Sequence, residues 1–201
     1  MKGMVNKYTL VPAVAILVMA AILLGASAGL SGLRAENIRK EHIYMMQTVL
    51  PGSESFVREP YAGEDANVKS VHRAENGFVI ETATQGYAGE IAMMIGVSNE
   101  GRVTGLVIRD MQETLGLGRN ALTDADFLAQ FLNTAGGVAI AAGADAVSAA
   151  TGESADAGTE VTVDAVTGAT VTSKAIARSV NSAVAVVTGA DVASSATEWE
   201  G

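Results

Sequence analysis

The stretch "DAVTGATVTSKA", residues 164–175, gathers hydroxyls around one glycine where a helical pattern is about to begin. A helix N-terminus presents amides with no intrahelical partner and a partial positive charge, a suitable seat for phosphate. In that seat Thr170 would be an ester oxygen. Gly168 and Ala169 would let the backbone come close, Thr172 and Ser173 would supply donors, and Lys174 a countercharge to a phosphodiester. A threonine hydroxyl does not attack a phosphoanhydride unaided, so the chemistry calls for a separate transferase. A second reading is open on the same residues: Thr and Ser are common helix caps, and Lys174 can simply face solvent.

The chain of 201 residues suits one domain of ordinary size plus an extra segment. Hydrophobic residues make up 49% and charged residues 17%, enough apolar material for a core. With 22 acidic and 13 basic side chains the net charge is -9, which repels phosphate backbones and argues against nucleic acid as a partner. Cysteine is absent, which removes disulfides, thiolate metal sites and iron–sulfur ligation together. His42 and His72 stand in different segments with no partner at ligand spacing, so no metal site is expected.

Several elements must position the motif. Residues 1–7 form a short basic start, and between Lys7 and Arg34 no charged residue occurs. As a helix, residues 8–33 would reach roughly 39 Å, more than a hydrocarbon core of about 30 Å needs, so a transmembrane helix is expected there. A cleaved signal peptide ending near "ASA" is the competing reading, but signal cores are usually shorter. Lys2 and Lys7 are matched by Arg34, Arg39 and Lys40 on the far side, so charge leaves the orientation open. Residues 34–66 read as a juxtamembrane helix ending before Pro51, with Ile38, Met45, Met46, Val49 and Leu50 near one face, followed by a linker.

From residue 67 to 189 the pattern is that of one α+β domain, a mainly antiparallel sheet with packed helices. "VKSVHRA", "FVIETATQ", "EIAMMIGVS" and "RVTGLVIRD" are β-rich runs separated by turn signals, so sequential antiparallel pairing is expected. Phe78, Ile80 and Thr82 alternate with Val79 and Glu81 as on a strand with one covered face, whereas Ile91–Val97 is apolar on both sides. "TDADFLAQFL" predicts a helix capped by Thr123 or Asp124 that buries Phe127, Leu128, Phe131 and Leu132. Residues 133–160 form an Ala/Gly-rich connection in which 137–142 can be a short strand. A last helix begins near Thr172, with Ile176, Val180, Val184 and Val187 as its stripe and Gly189 as its stop. Residues 190–201 read as a flexible tail.

"DAVTGATVTS" resembles the Asp-x-x-Ser/Thr-Gly-Ala-Thr signature of the covalent FMN-binding domains found in the G subunit of Rnf electron transport complexes and the C subunit of the sodium-pumping NADH:quinone reductase. "GYAGEIAMMIGVSNEGRVTGLVIRDMQETLGLG" is similar to that family's Gly-Tyr-x-Gly strand pair followed by Glu-Thr-Pro-Gly-Leu-Gly. Leu115 replaces the family's usual proline, which leaves the loop less preorganised, and Thr167 stands where serine is more frequent, which keeps the hydroxyl. The resemblance implies FMN joined through its phosphate to Thr170 by a flavin transferase that uses FAD. Asp164, Thr167, Gly168, Ala169, Thr172, Ser173 and Lys174 would lie around the phosphate. Tyr87, Glu113, Thr114, Gly116, Leu117 and Gly118 would lie toward the flavin, with Leu117 covering a ring face between two glycines. Alone, "ETLGLG" fits a glycine-rich turn into a helix equally well, and it lacks the spacing of a Rossmann fingerprint.

What the resemblance implies for function is a membrane-anchored electron carrier, most similar to the G subunit of an Rnf-type ion-translocating ferredoxin:NAD oxidoreductase, with no catalytic acid, base or nucleophile of its own. Its partners would be other Rnf-type membrane subunits, above all a second flavin subunit, together with the flavin transferase and the membrane. The FMN domain would lie outside the cytoplasm on a single-pass anchor. The alternatives are the C subunit of the sodium-translocating quinone reductase, which tends to be longer, a free-standing extracytoplasmic flavoprotein, and a cofactor-free surface domain whose "TGAT" is only a helix cap.

Overall fold

The computed structural model describes residues 7–113, 118–135, 137–141 and 161–189. The chain divides into two compact units, residues 1–43 and residues 44–201. The first unit is the greater part of helix α1, Lys7–Val49, which runs without interruption through the sequence expected to hold two separate helices. Among the described residues no helix is long and apolar enough to cross a membrane. Of the expected span, side chains are described for residues 12–25, where Ile16, Leu17, Met19, Leu23 and Leu24 are exposed.

The second unit is built on five antiparallel strands in sequential order: β1 (Val57–Glu59), β2 (Val68–Arg73), β3 (Gly77–Gln85), β4 (Glu90–Ser98) and β5 (Val103–Met111). The expected meander is present, and it starts earlier than residue 67, because β1 belongs to the sheet. Short helices α2 (Gly118–Thr123) and α3 (Ala125–Ala129) follow. Asp124 caps α3, accepting from the amides of Asp126 and Phe127 at 3.0 and 3.1 Å. Phe127 and Phe131 are buried edge to face with centroids 5.2 Å apart, while Leu132 is exposed, since α3 stops at Ala129 and its expected last turn is not helical. Strand β6 (Val138–Ala141) pairs in parallel with β7 (Val161–Asp164), a strand that the sequence pattern did not signal. Helix α4 (Thr170–Thr188) closes the unit on Gly189, whose φ of 68° is the left-handed stop that helices favour.

The central strand β3 departs from expectation because both its faces are covered. Ile80, Thr82 and Thr84 face α4 with Ile91, Met93 and Ile95, whereas Val79 and Met94 meet Met46, Val49 and Leu50 at the end of α1. Paired Gly96 and Gly105 make that second contact possible, for a side-chain carbon on Gly96 would overlap the Val49 carbonyl and one on Gly105 would come within 2.8 Å of Val49 Cα. Thr104 Oγ1 donates to the same carbonyl at 2.6 Å.

On the opposite face two polar anchors fix α4. Thr84 Oγ1 donates to the Ala175 carbonyl at 3.1 Å and pairs with Ser179 Oγ at 2.8 Å. Asn181 exchanges both hydrogen bonds of its amide with the backbone of Val138, at 2.7 and 3.1 Å. Buried bonds of this kind contribute modestly when made and cost more when one partner is stranded, so they set the axial position of α4 as well as its stability.

Gly96→Ala is expected to lower unfolding free energy by about 1–3 kcal/mol through overpacking against α1. Gly137→Ala, where nothing lies within 4 Å of the added carbon, should stay within roughly 0.5 kcal/mol of wild type. Urea unfolding of both variants measures the difference.

Candidate functional site

The turn before α4 is shaped by its own backbone. The Ala169 amide donates to the Val166 carbonyl at 2.9 Å, with Gly168 at a φ of 80°. That is the pattern of a type II turn, which calls for glycine at its third position. Ser173, fully buried, accepts from the Val166 amide at 3.3 Å through its hydroxyl, and its own amide donates to the Ala169 carbonyl at 2.8 Å. Turn and first helical turn therefore hold each other.

Helix α4 begins on Thr170 itself, two residues before the expected start. Its cap position is Ala169, and no side chain caps it. The reading of "TGAT" as a set of helix-capping hydroxyls is thus not what the fold uses. The first turn of α4 instead borders a cavity of about 350 Å³, within the size range of small-molecule sites. Its described wall consists of Gly168, Ala169, Thr170, Val171 and Thr172 from the turn and helix, Tyr87 from the hairpin between β3 and β4, and Gly118 at the start of α2.

Residues distant in sequence meet here through one carboxylate. Glu113 Oε1 accepts from the amides of Tyr87 and Ala88 at 2.7 and 3.3 Å, tying the hairpin tip to the segment that leads into α2. The carboxylate lies between glycines: a side-chain carbon on Gly86 would overlap Oε1, and one on Gly118 would overlap Oε2 and come within 2.6 Å of Thr172 Oγ1. Glu113 Oε2 and Thr172 Oγ1 are both buried and have no hydrogen-bond partner. Thr172 is 1% exposed. Both oxygens border the position that only glycine can occupy at residue 118.

Of the residues nominated from sequence, Tyr87, Gly118, Gly168, Ala169, Thr170 and Thr172 line the cavity. Val171 does so as well and went unremarked in the sequence, although its place between two nominated threonines at a helix start was a usable signal. Ser173 is turned inward to hold the turn, a supporting role where a phosphate donor was expected. Thr167 is exposed and Lys174 half-buried, and neither belongs to the described wall. Asp164 is half-buried at the end of β7, where its amide donates to Gln130 Oε1 at 3.0 Å and its Oδ1 is buried with no hydrogen-bond partner. Thr114, Gly116 and Leu117 lie outside the described residues. A larger, more open hollow of about 710 Å³ beside β1 and β2 collects Glu54, Glu59 and Glu75 around Arg73 and contains no nominated residue. Among the described residues no group of three or more His, Asp or Glu side chains is placed to hold a metal ion.

The second unit is thus an antiparallel sheet with one long helix docked on it, the uncapped start of that helix standing beside a cleft. Residues 86–185 match the family model of the FMN-binding domain. The match runs from the hairpin tip to the last turns of α4 and so contains the whole described wall of the cleft. It supports an FMN-binding domain family and, with it, a flavoprotein. No curated protein matches the chain at a significant level.

Replacing Gly168 by alanine forces a side chain into left-handed backbone at a cost of about 1–2 kcal/mol. The melting temperature of Gly168→Ala should fall accordingly, and amide exchange at Val166 and Ala169 should accelerate more than exchange in β4. Equal protection at those sites in both proteins would show that the turn does not need its glycine.

Proposed function

We propose that this chain is an electron-carrying subunit that holds FMN covalently through its phosphate at Thr170, anchored in a membrane by residues 8–33 and most similar to the G subunit of an Rnf-type ion-translocating ferredoxin:NAD oxidoreductase. The observation that carries the reading is the uncapped start of α4: Thr170 is the first helical residue, stands in the wall of the cleft, and belongs to the Thr-Gly-Ala-Thr word of the signature.

The attachment step balances without a base supplied by this chain. A flavin transferase would bring FAD; the Thr170 hydroxyl oxygen would bond to the flavin-side phosphorus as the pyrophosphate link breaks, AMP would depart, and the hydroxyl proton would pass to the transferase or to water. The product is a phosphodiester with one negative charge, which the amides and dipole of α4 stabilise. When bound, the flavin supplies one- and two-electron redox chemistry, and the protein contributes position, potential and exclusion of water. Gly168 and Ala169 keep bulk away from the ester, Thr172 lines the floor of the cleft, and Tyr87 at 68% exposure offers an aromatic edge at its mouth.

The subunit is not catalytic alone in this reading. Electrons arrive from and leave to other Rnf-type membrane subunits, one of them bearing a second flavin, with the FMN domain on the extracytoplasmic side. The family resemblance and the apolar, uncharged run between Lys7 and Arg34 support this placement.

Coexpression of the full chain with a flavin transferase is expected to add the mass of an FMN phosphoryl group to wild type and nothing to Thr170→Ala. Thr170→Ser, which keeps an ester oxygen, should be modified at least in part. Intact-mass spectrometry reads all three, and an unmodified wild type or a modified Thr170→Ala overturns the assignment.

A further inference from the structure

We infer that Asn76 is a site of self-modification, deamidation to aspartate or isoaspartate, and that its conversion releases the loop behind α1 from the sheet. The inference is independent of the flavin reading. It concerns the other end of β3 from the hairpin that carries Tyr87.

Asn76 is the only asparagine of the chain that precedes a glycine. Such a pair exposes the side-chain amide to attack by the next backbone nitrogen, because glycine has no Cβ to shield it. Packing holds the glycine in place: at Gly77, which pairs with Ser98, an added side-chain carbon would overlap the Val97 carbonyl. Asn76 itself is exposed, so water and base reach it.

Its side chain is nevertheless engaged. Nδ2 donates to the Pro51 carbonyl at 2.8 Å, and Oδ1 accepts from the hydroxyl of Ser53, which is buried. The Asn76 carbonyl accepts from the Asn99 amide at 3.3 Å. One residue thus joins the loop that follows α1 to the β2–β3 turn, and that turn to the one between β4 and β5. For attack, Cγ must swing toward the Gly77 nitrogen, which opens both side-chain bonds. The clamp therefore gates the reaction.

In the reaction the Gly77 nitrogen bonds to Asn76 Cγ, the Cγ–Nδ2 bond breaks, and ammonia leaves with the proton of the Gly77 amide. Water then opens the cyclic imide, at Cγ to give aspartate or at the Asn76 carbonyl carbon to give isoaspartate. One water is consumed and one ammonia released. In aspartate an oxygen stands where the amide nitrogen served Pro51, so two acceptors face each other in place of a donor and an acceptor. Isoaspartate also lengthens the backbone of a turn closed by the Ala74 amide on the Gly77 carbonyl at 2.8 Å. Either product loses the bond to Pro51 and loosens the loop.

The test incubates the full chain in mildly alkaline buffer below its melting transition and follows isoaspartate, and the mass gain of an amide-to-acid conversion, by peptide fragmentation. Both should accumulate at residue 76 ahead of every other asparagine. Ser53→Ala, which removes one of the two side-chain bonds, should convert about fivefold faster, the factor expected for one hydrogen bond. Asn76→Gln, whose longer side chain disfavours the imide, should stay unmodified. Asn76→Asp, made directly, should exchange the amides of residues 52–55 faster than wild type while β4 is unchanged, a readout that does not depend on how well the Ser53 variant folds. Absence of conversion at residue 76 in both wild type and Ser53→Ala overturns the site, equal rates in the two overturn the gate, and wild-type exchange in Asn76→Asp overturns the release.

Discussion

The arrangement depends on amides at the start of α4 that no side chain satisfies. A helix of 19 residues gathers partial positive charge at its first turn, and most helices of that length neutralise it with a Ser, Thr, Asp or Asn cap. Here the cap position is Ala169, which has nothing to offer. The hydroxyls that could have served are employed elsewhere: Ser173 is buried beneath the turn, and Thr170 and Thr172 face the cleft. The unmet demand at the helix start is therefore directed at a ligand. Everything near it keeps that demand in place, from the type II turn on Gly168 to the two-way tie between Val166, Ala169 and Ser173.

Rigidity farther along the helix serves the same end. Thr84 and Ser179 pin α4 to the sheet, Asn181 pins it to β6, and Gly189 stops it. An electron carrier of the kind proposed would need a fixed distance and environment for its redox group more than acids or bases. Glu113 extends that fixation across the chain, because a single carboxylate joins the β3–β4 hairpin to the segment before α2 and passes beside the first turn of α4. The five-stranded sheet is the common base: its β3 strand is covered by α4 on one face and by the end of α1 on the other, so hairpin and helix are referred to one packed platform.

Much of this was legible in residue patterns and some was not. The alternation and turn words of residues 68–111 predict the meander, because strand order in hairpins follows chain order. The spacing of Ile176, Val180 and Val184 predicts the buried stripe of α4. Coverage of both faces of β3 was hidden, since it depends on a glycine pair, Gly96 and Gly105, that admits the backbone of Val49 from far upstream. Strand β7 escaped because "VTVD" is short and pairs in parallel with a strand reached across residues 142–160, a long-range contact without local signature. In the site, the threonine word marked two residues that line the cleft, Thr170 and Thr172, whereas the inward turn of Ser173 and the clamp made by Glu113 depend on which neighbours the fold brings near. The start of α4 at Thr170 was likewise concealed, for hydroxyl-rich words look like caps whether or not they cap.

Phosphorus magnetic resonance reads the proposed bond between phosphorus and the Thr170 oxygen without disturbing the protein. A free phosphate monoester takes up a proton with a pKa of about 6, so its resonance moves between acid and neutral pH, whereas a diester has no proton to exchange in that range. With the diester in place, the folded, flavin-loaded protein is expected to show one protein-bound signal whose position is constant from about pH 5 to 8. A signal that titrates near 6, or one that leaves with the flavin on unfolding, would contradict it.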